Sequence, residues 1–354
     1  MYAGFVNNMN YTHLKKSVLN SSISDTVLVK ELLKLQKIYT QDRGLLNKIT
    51  WNDDNISAYT LFYMLTNMPK LSFLYDKLPK ELLKEIEKND FIDFGCGPGT
   101  YSWEHLKYLK NSKKIIQIEH NELMYKQCDR IAKDLFSNYL IERKFKLEKN
   151  KSSTLLFGNS ANELTNENIL LKIKIVDPKT LLFIEPGTKE VFHKLNMLRE
   201  DLFKLGYKFI YPCSASSSCC PIKTDDIETD DWCHQVIKIV HQDEVERLGQ
   251  MAKMDRRKMP CLLWALTKNE VKLQDLSLPK EAYLQRNLSE SKFAFNWICC
   301  VDIENKNKLL KFEILKKSLT KSEIKNYKNI STGITFNYEL VKVINENCYR
   351  VKLI

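Results

Sequence analysis

The stretch Phe91-Ile92-Asp93-Phe94-Gly95-Cys96-Gly97-Pro98-Gly99-Thr100 decides the fold. Its first four residues read as a short apolar strand, the glycines as a tight loop, and Trp103, Leu106, Tyr108 and Leu109 as the helix that follows. Glycines let a backbone approach a ligand closely, and a helix beginning there offers free N–H groups. The strict two-residue spacing of Gly95, Gly97 and Gly99 differs from the Gly-x-Gly-x-x-Gly of dinucleotide enzymes, so the spacing favours another ligand.

Working outward, Lys114 to Ile118 reads as a second strand ending at Glu119, with a helix from about Glu122 to Leu135 behind it. Thr154 to Phe157, Thr180 to Ile184, Tyr207 to Tyr211 and Cys261 to Leu266 are further strand-length apolar runs, and Lys189 to Leu205 reads as one helix. Strands alternating with helices predict an α/β domain with a parallel, doubly wound sheet over residues 90–268. Residues 1–89 read as a helical region, with Leu28, Leu32 and Leu35, then Leu61, Met64, Leu65 and Met68, at helical spacing. Residues 285–354 read as a small, mainly β appendage. Before the last sheet strand lies a polar, cysteine-rich insertion, residues 212–235, without helical or strand period.

The glycine loop resembles the first motif of class I S-adenosylmethionine-dependent methyltransferases. That resemblance implies that Asp93, Gly95, Gly97 and Gly99 wrap the cofactor and that Glu119, at the end of the next strand, takes the ribose hydroxyls, which suits a carboxylate acceptor. The Asn/Asp-Pro-Pro-aromatic segment common in amine and base methyltransferases is absent. Glu185-Pro186-Gly187-Thr188-Lys189-Glu190 stands at a strand end instead, where Glu185 is either a general base or a structural carboxylate; catalytic residues and methyl acceptor stay open.

In 354 residues, 44% hydrophobic composition excludes global disorder, and no run approaches the ~18–20 apolar residues of a membrane span. Ten cysteines are too sparse for a disulfide scaffold, so clustered ones point to a metal in a reducing compartment. Cys213, Cys219, Cys220 and Cys233 fall in a hydrophilic segment with Asp225, Asp226, Glu228, Asp230 and Asp231, and so are not core filling. Four thiolates suit zinc or a four-iron cluster; the lack of Cys-x-x-Cys knuckles favours iron and sulfur. Cys299-Cys300 offers a further ligand from the appendage, or two alternating strand residues. His234 is the weaker ligand candidate, and Cys96, Cys128, Cys261 and Cys348 read as ordinary thiols.

The glycine loop, Phe183 to Glu190, Pro212-Cys213, Cys220-Pro221 and Asp231-Trp232-Cys233-His234 together resemble the methyltransferase-like small-subunit ribosomal proteins. That family includes the mitochondrial methyltransferase-like protein seventeen, a yeast mitoribosomal counterpart and bacterial relatives. The resemblance runs from about Ser57 to Tyr327, with Asn67 in place of a usual arginine. It implies an S-adenosylmethionine-type fold, a 4Fe-4S cluster and action on the small ribosomal subunit during assembly. By position the cluster cysteines match Cys213, Cys219 or Cys220, Cys233, and Cys299 or Cys300. Ser214 to Ser218 replaces the family's Pro-His-x-x-Pro filling.

The net charge of +11 includes two basic segments: Lys253, Arg256, Arg257 and Lys258, and Lys306 to Lys328 with eight lysines against Glu313 and Glu323. Such segments suit phosphate contact. With the family resemblance, the expected partners are small-subunit rRNA and the small ribosomal subunit, with no membrane. The expected function is a ribosome-associated assembly factor. The alternatives are an active rRNA methyltransferase and a zinc-stabilised RNA-binding module with a dead pocket. The resemblance begins close to the start of the chain, which favours bacterial cytoplasm, with the mitochondrial matrix as the alternative.

Overall fold

The computed structural model describes residues 9–41, 49–213, 220–222, 231–269, 280–303 and 306–354. The chain forms two compact units. The first comprises Met1–Ser160, Ile175–Pro178 and Lys238–Met259; the second comprises Ala161–Lys174, Lys179–Ile237 and Pro260–Ile354.

The first unit holds four parallel strands, β1 (Asp90–Phe94), β2 (Lys114–Ile118), β3 (Ile141–Lys144) and β4 (Ser153–Gly158), in the order β3-β2-β1-β4. β1 and β4 are almost wholly buried, which is why they read as unbroken apolar runs rather than alternating ones. The helix Glu122–Leu135 begins where the Asn121 side chain accepts the Leu123 and Met124 N–H groups, satisfying donors that have no partner within the helix. Helices from Tyr11 to Lys88 confirm the helical reading of the N-terminal region and include one π-helical stretch, Tyr59–Met64.

The second unit holds β5 (Thr180–Pro186), β6 (Lys208–Tyr211), β7 (Gln235–Lys238) and β8 (Lys258–Thr267), with the order β5-β8-β6 and β7 also pairing with β8. β8 runs antiparallel to both β5 and β6, a departure from the all-parallel expectation. Chain direction leaves no trace in a run such as Cys261 to Leu266, because a strand buried on both faces reads the same either way. The single helix expected over Lys189 to Leu205 is two, Lys189–Asn196 and Arg199–Lys204. β7 and the helix Asp243–Met251 follow the cysteines where neither was expected.

The appendage is a closed five-stranded barrel: β9 (Lys280–Glu290), β10 (Ala294–Ile303), β11 (Lys306–Leu315), β12 (Thr335–Asn345) and β13 (Cys348–Leu353), closing as β10-β11-β13-β12-β9. All its pairings are antiparallel except β11 with β13. Phe295, Trp297, Cys299 and Val301 of β10 alternate into the barrel core with Leu310, Phe312 and Ile314 of β11. The helix Lys321–Lys328, opened by a Thr320–Glu323 capping box, sits between β11 and β12 and packs Ile324 and Tyr327 on that core. The architecture is thus the expected mixed α/β fold with N-terminal helices and a C-terminal β appendage. No helix among the described residues is long and apolar enough to cross a membrane.

Candidate functional site

The glycine loop lies wholly in the first unit. Gly95, Gly97 and Gly99 all have left-handed φ, at 70°, 55° and 89°. A Cβ at Gly99 would run into the Trp103 indole, whose Nε1 donates to the Pro98 carbonyl at 2.7 Å. A Cβ at Gly95 would crowd Ser160, whereas one at Gly97 would meet nothing within 4 Å. The loop is therefore braced at both ends and open at its middle glycine.

Asp93, fully buried, accepts from the Ser102 N–H at 3.0 Å and hydroxyl at 2.8 Å through Oδ2, while Oδ1 has no hydrogen-bond partner. Burial pushes its carboxyl up to about 7, against the lowering pull of the Ser102 hydrogen bonds. Glu119 accepts from the Gly97 N–H at 2.9 Å and the Asn121 N–H at 2.7 Å, tying the open glycine to the start of the next helix. The sequence thus selects residues that the fold does gather: Asp93, Gly95, Gly97, Gly99 and Glu119 share one loop system. The orphaned Asp93 oxygen and the open face at Gly97 fit a polar ligand there.

Glu185, in the second unit, has no accessible surface and accepts from the Ala161 N–H at 2.8 Å, the Asn162 N–H at 3.3 Å and the Asn162 amide at 2.8 Å. Lys194 donates to the carbonyls of the same two residues at 3.0 and 2.9 Å. This carboxylate anchors the loop after β4, which makes it the structural carboxylate of the two readings.

The cysteine constellation also lies within the second unit. Cys213 follows β6, Cys233 precedes β7, Cys220 stands between them, and Cys300 lies on β10. All four line one pocket, walled by Phe192, Ile222, Trp264, Tyr283 and Leu309. Strand alternation separates the doublet. Cys299 is fully buried in the barrel core, so Cys300 faces the other way, into the pocket. Cys220 lines the pocket as well, whereas Cys219 lies outside the described residues.

Arg199 is 3% exposed and lines the same pocket. Its Nη1 donates to Cys213 Sγ at 3.5 Å, and its guanidinium lies 3.9 Å over the Phe209 ring. Burial works to lower this group; as thiolates, Cys213, Cys220 and Cys233 would outweigh that and hold it above its ordinary value. Burial pushes the Cys233 and Cys300 thiols up, and the surrounding cysteines add to both shifts. Without a metal these thiols stay protonated, and a metal would displace the protons.

The segment carrying Cys233 is pinned from several sides. Trp232 Nε1 donates to the Gly187 carbonyl at 3.0 Å, Gln285 Nε2 to the Trp232 carbonyl at 3.3 Å, and the Cys233 thiol to the Tyr283 hydroxyl at 3.5 Å. His234 stacks on Trp232 at 5.3 Å between ring centroids and is not among the pocket-lining residues. Cys96, Cys128, Cys261 and Cys348 are buried and stand outside this pocket. Among the described residues no group of three or more His, Cys, Asp or Glu is placed to hold a single metal ion.

Sequence reasoning missed Arg199, whose only signal is an arginine inside an amphipathic helical run. It also overcounts the basic cluster of Lys253, Arg256, Arg257 and Lys258. Arg256 turns inward to donate to Asn67 Oδ1 at 2.8 Å, and Arg257 is held by Asp255 at 2.9 Å.

No curated protein sequence matches the chain. Among solved structures it is similar to a SAM-dependent methyltransferase from Aquifex aeolicus, with 13% identity, a TM-score of 0.38, and coverage of 62% of this chain and 100% of that one. It is also similar to M. jannaschii TYW2 in complex with AdoMet, with 14% identity, a TM-score of 0.33, and coverage of 63% and 80%. Aeropyrum pernix fibrillarin with natively bound S-adenosyl-L-methionine gives 12% identity, a TM-score of 0.33, and coverage of 57% and 76%. The model of the family described as mitochondrial small ribosomal subunit Rsm22 matches residues 53–260, more than half of the chain, and the chain therefore belongs to the Rsm22 family.

Proposed function

We propose that this protein is a small-ribosomal-subunit factor that binds small-subunit rRNA. In this reading it carries a 4Fe-4S cluster on Cys213, Cys220, Cys233 and Cys300, and an S-adenosylmethionine pocket at Asp93, Gly95, Gly97, Gly99 and Glu119. The observation that carries the reading is the convergence of four cysteines from separate segments on one pocket that also holds a buried guanidinium.

The donor set suits an anionic cluster. Four thiolates ring a cavity rather than a point, and Arg199 supplies positive charge beside them. A single zinc ion, with Zn–S bonds of about 2.3 Å, needs its donors within roughly 4 Å of one another. Zinc stays the alternative that metal analysis separates from iron and sulfur. When bound, the cluster would cross-link β10 of the barrel to the segments that flank β6 and β7.

The family's description supports action on the small ribosomal subunit, and it supports the mitochondrial matrix over the bacterial cytoplasm. The domain layout we propose is a helical region 1–89, a methyltransferase-like domain 90–268 and a β appendage that, expected from 285, opens with β9 at Lys280.

Anaerobic purification with iron, sulfide and zinc measured per chain, followed by co-sedimentation with small subunits, tests the proposal. Iron and sulfide in equal amounts and retention on small subunits are expected. Zinc without iron would decide for the zinc-braced module, and methyl transfer to small-subunit RNA for the enzyme.

A further inference from the structure

The barrel has a specific connectivity. Its strands run β9-β10-β11, then the helix Lys321–Lys328, then β12-β13, and they close in the order first-second-third-fifth-fourth with third and fifth parallel. This is the Greek-key barrel of the oligonucleotide/oligosaccharide-binding fold, whose second and third strands and whose loops between strands one and two and between four and five take single-stranded ligands. Connectivity alone does not assign a function, so the argument rests on what these positions carry.

The loop between β9 and β10, Ser291-Lys292-Phe293, presents Phe293 with 71% of its surface exposed. Its backbone is fixed. The Phe293 N–H donates to Ser291 Oγ at 3.2 Å, and the Phe293 carbonyl accepts the Lys316 N–H at 2.8 Å. Lys316 thereby joins this loop to the one that follows β11, and its Nζ reaches the Ser291 carbonyl at 2.6 Å. Lys292 Nζ stands 5.8 Å from the Phe293 centroid, while Lys316 and Lys328 share the carboxylate of Glu290 at 2.6 and 3.3 Å. From Lys316 to Lys328 the sequence carries five lysines against Glu323 alone.

The outer face of the second and third strands continues from that tip. With Trp297, Leu310 and Phe312 turned into the core, Ile298 and Lys311 sit opposite each other on the outside. Further along, Cys300 and Leu309 meet the thiol pocket.

We infer that Phe293 is a nucleobase-stacking platform and that Lys292 and the exposed lysines of the 316–328 segment hold the backbone of a single-stranded RNA segment laid across the Phe293 end of β10 and β11. An aromatic ring with an open face on a fixed backbone, beside a lysine-rich segment, matches the two requirements of single-strand binding: a π surface for any base and cations for its phosphates. A duplex offers no unstacked base to such a ring. The inference rests on the RNA partner proposed above and specifies where and in which form that RNA is held.

The test is fluorescence anisotropy of the full-length protein with a labelled single-stranded oligouridine and with a duplex of equal length. We expect tighter binding of the single strand, about tenfold weaker binding by Phe293→Ala and near-native binding by Phe293→Trp, whose added indole emission should be quenched on RNA addition. Lys292→Ala and Lys317→Ala should lower the salt dependence of binding without altering the thermal midpoint. Preference for duplex, or an unchanged affinity in Phe293→Ala, overturns the inference while leaving RNA binding itself intact. No RNA binding by the native protein overturns both readings. If Phe293→Ala spares RNA binding but weakens attachment to small subunits, the face serves a protein, and the inference falls.

Discussion

Replacing the two members of the Cys299-Cys300 doublet one at a time should give crossed phenotypes. Cys299→Ser puts a hydroxyl where Sγ is fully buried among Leu284, Trp297 and Leu310, with an apolar barrel core around it. A hydroxyl buried without a partner costs about 1–3 kcal/mol in proteins. At about 2–4 °C per kcal/mol for a domain of 150–250 residues, the thermal midpoint should fall by several degrees. Iron content should not change, because that side chain points away from the pocket. Cys300→Ser removes a half-buried pocket thiol, so the thermal midpoint of the metal-free protein should fall by less than in Cys299→Ser. Its iron and its visible absorption should be lost or strongly reduced. The assay is iron and sulfide per chain after anaerobic purification, alongside thermal melts of chelator-treated protein. Iron retained by Cys300→Ser and lost by Cys299→Ser would refute the assignment, and iron retained by both would remove the barrel from the cluster site altogether.

Arg199→Gln keeps all four thiols and removes the buried charge, so iron release to a chelator should accelerate by about 10- to 100-fold, the usual scale for groups that support metal ligands, with Arg199→Lys recovering part of the loss. Gly99→Ala forces a side chain onto a φ of 89° and into Trp103, and should abolish S-adenosylmethionine binding in calorimetry, whereas Gly97→Ala meets no neighbour and should cost only the backbone strain of its φ of 55°, about 1–2 kcal/mol, with weakened affinity. His105 is bonded to Tyr75 and Ser112 and stacked on Phe91, and burial holds it down at about 3 against an ordinary 6.5. The folded state therefore binds that proton less readily than the unfolded state. Its contribution is present above pH 6.5 and is lost as pH falls towards 3, with a slope of up to about 1.4 kcal/mol per pH unit. Urea titrations at pH 5 and 7 should show that slope in the native protein and a flatter one in His105→Gln.

The parts of the fold legible in the sequence are those where a local pattern suffices. The strand at Phe91 to Phe94, the three-glycine loop and the carboxylate at Glu119 sit within one strand–loop–helix–strand unit, so spacing alone brings them together. The helix over Glu122 to Leu135 is bounded by a cap that the sequence displays. What escaped was non-local. β9 lacks an apolar signature that stands out from its polar neighbours, and the direction of β8 depends on which partners it meets. The basic cluster around Arg256 divided once Asn67 was found beside it.

The cysteines mark the same boundary. Sequence by itself narrowed the metal candidates to six of the ten, Cys213, Cys219, Cys220, Cys233, Cys299 and Cys300, and left the last two equally readable as alternating strand residues. Only the tertiary structure set Cys300 beside Cys213, Cys220 and Cys233 and turned Cys299 into the barrel. The reason is geometric. Two neighbours on a strand point to opposite faces, and which face meets the pocket is decided by how the barrel strand registers against β9 and β11, which lie far along the chain from the first thiol.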